Sequence, residues 1–246
     1  TAALPAMAPP AASTAERPDV YYIILDGYAR ADVLRRLYDS DATPFLDALR
    51  QRGFVIAERS TANYPLTFLS LAATLEMSFL DDTLAAMGTT TTDERPIVAR
   101  LQHHLVGRMF RAQGYQYVHF QTNYGPTERV DYADVTYAFG SVWLKSEFAS
   151  VLLRTTPLRL FEPNVSELYL YMFRTLGEVP RITAPTFTFC HLTVPHHPYV
   201  FDRTGRVLQD LPFSLQFTGH GEGWAEKQAY VEQIEYVNRR ILEVID

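Results

Sequence analysis

Residues 20–27 read VYYIILDG, and their reading decides the fold class. Six consecutive apolar residues, mostly β-branched or aromatic and without polar alternation, predict a buried central strand of a parallel sheet. Asp26-Gly27 ends the run with a turn signal. Beyond it, residues 30–39 and 44–52 carry helical spacing (Leu34, Leu37; Phe45, Leu46, Leu49), the second opened by Thr43-Pro44 as N-cap and N1 and stopped by Gly53. Residues 54–57 (FVIA) read as a second short strand, and 67–80 and 96–112 as helices. Gly114 closes the latter before a strand over 115–121. Helices over 142–154 and 164–176, a strand over 186–193 (TFTFCHLT) and a long amphipathic helix over 224–245 complete the pattern. This alternation predicts an α/β fold with a mostly parallel central sheet flanked by helices, whose active site lies beyond the carboxyl ends of the strands.

Composition narrows the function classes. The chain has 246 residues, 47% hydrophobic and 20% charged, which is the balance of a globular protein and excludes disorder and fibrous repeats. A net charge of −6 without a Lys/Arg cluster argues against a nucleic-acid partner or a polybasic membrane patch. One cysteine, Cys190, excludes an intrachain disulfide and a cysteine zinc cage. No apolar run reaches the length of a membrane span. Aromatic residues make up 13%, enough to line a cleft or a lipid-facing surface as well as a core.

Residues 1–18 are rich in Ala and Pro and read as a linker, lacking the charged start and apolar core of a signal peptide. Residues 19–246 read as a single α/β unit. The last helix runs into Asp246 with no stop signal, so the unit is expected to be truncated at its C-terminus and the chain to be part of a longer protein.

Three segments carry chemistry. Asp26 stands at the carboxyl end of the first strand, where a carboxylate faces the crevice and offers hard oxygen ligands to a divalent cation. Its ordinary alternative is a turn or helix cap. In 63–71 (NYPLTFLSL), a loop with Asn63 and Pro65 enters a helix carrying Thr67 and Ser70, hydroxyls at a helix N-terminus suited to an anionic substrate. A simple N-cap is the plainer reading. Residues 191–199 (HLTVPHHPY) set His191, His196 and His197 in seven residues at a strand end, in place to bind phosphate or metal or to donate a proton. His103-His104 reads as a partly solvated helical face, and 219–221 (GHG) as a loop without further support. No G-x-S-x-G, Walker A, H-E-x-x-H or G-x-G-x-x-G motif occurs.

Taken together, YYIILDGY, ANYPLTFLSLAATL and FCHLTVPHHPYVFDRTG resemble the sulfatase-like, metal-dependent branch of the alkaline phosphatase superfamily, which includes phosphoethanolamine transferases and lipoteichoic acid synthases. The resemblance implies that Asp26 is a metal ligand, that Thr67 is both the nucleophile and a metal ligand, and that His196 assists the leaving group. It further implies substrate binding by His191, His197, Asn63 and Tyr199, and one or two divalent cations (Mn, Zn or Mg) as cofactor. The implied activity is phosphotransfer or phosphodiester hydrolysis on cell-envelope or lipid-linked phosphoesters, outside the cytoplasm, with a membrane tether beyond this chain. Where sulfatases carry C/S-x-P-x-R, this chain has Asn63-Tyr64-Pro65-Leu66-Thr67, which favours phosphoryl over sulfuryl esters. One departure is serious: the family's later Asp-His pair is absent, since no D-H dipeptide occurs. Weak metal binding and little activity are therefore expected of these 246 residues alone. A non-catalytic envelope-binding module of the same fold is the competing reading.

Overall fold

The computed structural model describes residues 17–88, 90–139, 156, 164–208 and 226–246. Four strands, β1 (Val20–Leu25), β2 (Gln116–Phe120), β3 (Val135–Tyr137) and β4 (Thr186–Leu192), form one all-parallel sheet in the order β1-β4-β2-β3. Helices α1 (Ala31–Tyr38), α2 (Thr43–Gln51), α3 (Thr67–Leu75), α4 (Asp81–Met87), α5 (Arg95–Gln102) and α6 (Leu105–Ala112) separate β1 from β2. Then follow α7 (Gly125–Glu128) between β2 and β3, α8 (Val165–Leu176) before β4, and α9 (Lys227–Ile245) after it. The α/β reading with a parallel sheet flanked by helices holds.

Period-two alternation along the strands builds two cores, one on each face. Val118, Phe120, Cys190 and Leu192 pack against α8 and α9 through Leu168, Met172, Phe173, Val237 and Ile241. On the other face Tyr117, Phe187 and Phe189 meet α3, α5 and α6 through Leu71, Leu75, Ile97 and Leu101. The odd-numbered residues of β4 face this second layer, which carries His191 to the same side as α3. Every residue of β4 is buried, so β4 is the central strand. β1 pairs only with β4 among the described residues, and most of its side chains are half-buried. The apolar run 20–25 thus forms an edge rather than the centre, its outer flank lacking a second neighbour.

Four further expectations are corrected. Residues 54–57 form no strand: Gly53 leaves α2 with φ 87°, and Val55 is 96% exposed, so the short apolar run is not drawn into the sheet. The helix expected over 67–80 ends at Leu75, with Met77 at φ 54° turning the chain away. The helix over 96–112 is two helices, broken at His103-His104. Thr43-Pro44 lies one position further into α2 than expected, because Asp41 performs the capping: its carboxylate accepts from the Thr43 backbone N–H (3.0 Å) and hydroxyl (2.6 Å). Residues 142–154, Trp224 and 219–221 lie outside the described residues, as does 1–16 of the linker.

Candidate active site

The strand order decides what meets. Because β4 lies between β1 and β2, the loops leaving the carboxyl ends of all three converge, and α3 is laid against the same rim. Asp26 continues β1 into the turn, its N–H bonded to the Leu192 carbonyl at 2.9 Å. Thr67, the first residue of α3, places its hydroxyl 3.4 and 3.3 Å from the two Asp26 carboxylate oxygens. His191 places Nε2 3.4 Å from Asp26 Oδ2. These three side chains come from segments 41 and 124 residues beyond one another in sequence, and only the parallel topology assembles them.

His191 is fully buried, and its orientation is set from behind. Its Nδ1 is bonded to Thr127 Oγ1 at 2.8 Å, Thr127 to Thr122 Oγ1 at 3.0 Å, and the Thr122 oxygen accepts the Tyr124 N–H at 3.1 Å. Nε2 has no aligned hydrogen bond of its own among the described residues. Alongside, Tyr169 and Thr193 share a hydrogen bond of 2.9 Å, and Thr193 donates to Asn123 Oδ1 at 2.7 Å. Burial pushes the Asp26 carboxyl up, but the His191 imidazole 3.4 Å away, with His196 and Thr67 adding to it, holds it below the usual carboxylate range.

His196 reaches the same rim through the loop after β4. Gly27, at φ 76°, lies so close that a Cβ there would stand 3.0 Å from the His196 Cα. His196 Nδ1 donates to the His197 carbonyl at 2.6 Å, which fixes the orientation of the ring. The loop itself is clamped by buried Gln233 of α9, whose Oε1 accepts from Val200 and Phe201 N–H (2.7 and 3.1 Å) and whose Nε2 donates to the Pro195 and His196 carbonyls (both 3.2 Å).

Other expected residues stand elsewhere. Tyr199 is 2% exposed and packs with His197 and Tyr230, so its ring builds core. Asn63 accepts from Ser70 Oγ at 2.6 Å and from the Tyr64 N–H at 3.1 Å, fixing the loop that leads into α3. His104, read as partly solvated, is fully buried: it caps α6 by accepting the Gly107 N–H at 3.0 Å and bonds the Tyr117 hydroxyl at 2.8 Å. Sequence reasoning passed over Thr122, Asn123 and Thr127. The signal was there, since 121–128 (QTNYGPTE) is a polar, hydroxyl-bearing stretch directly after a predicted strand.

The donors suit a divalent cation in kind. Two oxygens sharing one cation at ~2.1–2.4 Å lie about 3.0–3.4 Å apart, a better match to the Thr67–Asp26 spacing than an ordinary O–H···O bond. In the tautomer whose Nδ1–H donates to Thr127, His191 Nε2 turns its lone pair to the side of Asp26. In number the set is incomplete, because no group of three acidic, histidine or cysteine side chains with metal-holding geometry occurs among the described residues. No protein-family model matches the chain, and neither does any curated protein or solved structure.

Proposed function

We propose that the chain carries part of the active site of a phosphoryl-transfer enzyme, a phosphotransferase or phosphodiesterase using Thr67 as nucleophile. The observation that carries this reading is the Thr67 hydroxyl held 3.3–3.4 Å from both Asp26 carboxylate oxygens, at the carboxyl rim of a parallel sheet and beside buried His191. A hydroxyl at the first turn of a helix sits among N–H groups that have no intrahelical partner, a favourable place for phosphoryl oxygens.

Asp26 and Thr67 would hold a divalent cation, with His191 adjoining. Bound there, it would lower the pKa of the threonine hydroxyl and offset charge on the phosphoryl oxygens. The chain's own residues supply the rest. Thr67 Oγ1 attacks phosphorus in line, forming the new O–P bond as the bond to the departing alkoxide breaks, and its proton is released to solvent. His196 gives a proton to the alkoxide. Water or an acceptor alcohol then attacks the phosphothreonine, its proton passing to His196 while a proton from solvent returns to the Thr67 oxygen. Water makes the enzyme a hydrolase and an alcohol makes it a transferase. Cell-envelope or lipid-linked phosphoesters are the substrate class that the sequence resemblance favours.

The test is turnover of bis(p-nitrophenyl) phosphate by the complete natural protein with added Mn²⁺. Thr67→Ala is expected to lower kcat by at least about a thousandfold and Thr67→Ser far less. Undiminished turnover in Thr67→Ala removes Thr67 as the nucleophile, whereas no turnover by the parent removes the enzymatic reading in favour of a binding module.

A further inference from the structure

One cavity belongs to neither Asp26 nor Thr67, yet it is walled by segments adjoining the ones that carry them. Its volume is about 980 Å³, and its walls are the β1–α1 turn from Tyr28 on, the faces of α1 and α2, and the strand-less segment 56–62. One wall therefore begins two residues after Asp26 and another ends five residues before Thr67. Arg30 joins the two, donating to the Ser60 carbonyl at 2.9 Å.

Four arginines line this space, Arg30, Arg35, Arg50 and Arg59, against two carboxylates, Asp32 and Glu58. Asp41 and Asp47 stand just behind the lining, so what distinguishes the arginines is how tightly each is paired rather than a net charge. The four are not equivalent. Arg30 is committed to Asp32 through two bonds of 2.6 and 2.9 Å, and Arg50 spans Asp47 and Glu58 at 2.7 and 2.8 Å, so these two brace the walls. Arg35 makes one long contact of 3.5 Å with Asp41 and is 67% exposed, and Arg59 makes no ion pair among the described residues. Guanidinium groups with unused N–H donors at a cavity wall bind phosphate in a fork. Between them the lining is small and apolar: Ala29, Ala31, Ala42, Leu46 and Ile56.

We propose that this cavity binds a second anionic group of the substrate, a phosphate carried several bonds away from the phosphorus that Thr67 attacks, with Arg35 and Arg59 as its contacts. The proposal rests on the phosphoryl-transfer reading and narrows its substrate to esters bearing more than one phosphate, as head groups or polymer repeats do.

The experiment is calorimetric titration of the chain with glycerol 3-phosphate and, separately, with glycerol. Saturable binding of the phosphate ester but not of glycerol is expected, weakened at least about fivefold in the double variant Arg35→Gln/Arg59→Gln. In the unsubstituted chain, glycerol 3-phosphate is expected to protect Arg35 and Arg59 from phenylglyoxal, which gives an answer even should the double variant fold poorly. The proposal is overturned if neither compound binds, if both bind alike, if the folded double variant binds as well as the parent, or if protection spares neither arginine. Thr67-independent turnover of bis(p-nitrophenyl) phosphate, with Arg35- and Arg59-dependent binding intact, instead removes the nucleophile and leaves the anion site standing.

Discussion

At the scale of single residues, Gly27 shows how closely backbone and chemistry are joined. It follows Asp26 directly, takes a positive φ, and leaves no room for a Cβ against the His196 backbone. Both features oppose any side chain. Gly27→Ala is expected to lower stability by about 1–3 kcal/mol through left-handed strain and the clash together. Because the displaced segment carries His196, turnover should fall further than stability accounts for, which comparison of thermal melts with kcat of the folded fraction will reveal. A melt and kcat both equal to the parent's would show that the contact does not position His196.

Elements contribute by what they clamp. α9 delivers Gln233 to the loop after β4, where one side-chain amide satisfies two N–H groups and two carbonyls in a fully buried place. Gln233→Leu keeps the volume but orphans those backbone groups, so a loss of about 2–4 kcal/mol is expected, read as a lower urea midpoint at unchanged m-value. The two-helix break at His103-His104 works in the same way. A histidine capping α6 from inside the core reads in sequence like any helical histidine, since capping depends on a backbone angle that the residue type does not announce.

For the whole molecule, two buried histidines on the α3–α5–α6 face govern the response to acid. Burial pulls His104 down to about 3, with the charges of His119 and Arg108 acting in the same direction, and pulls His119 down to about 4 against the backbone groups of Glu128 and Thr127, with His191 adding to the fall. Both are neutral when folded and take up a proton near pH 6.5 when unfolded. Their contribution to stability is therefore complete above that pH and is lost as pH falls toward 4 and then 3. Between about pH 5.5 and 4.5 the pair should add at most about 3 kcal/mol of destabilisation per pH unit. Urea unfolding across that range measures it, and His119→Phe should roughly halve the histidine share of the slope. An unchanged slope in that variant would show that His119 is not protonated on unfolding.

The sequence by itself determined the α/β class, most element positions and the three chemical segments. It could do so because strand and helix periodicities, Gly stops and clustered polar residues after strands are local signals. Asp26, Thr67 and His191 were visible as separate candidates for that reason. Only the tertiary structure decided that they meet, that β4 and not β1 is the centre, and that Thr127 stands behind His191. It also gathered Arg30, Arg35, Arg50 and Arg59, scattered over thirty residues without forming a charge cluster, around one cavity. The physical reason is that strand order and helix docking are settled by which faces bury together over long separations, and no window of sequence contains both partners of such a contact.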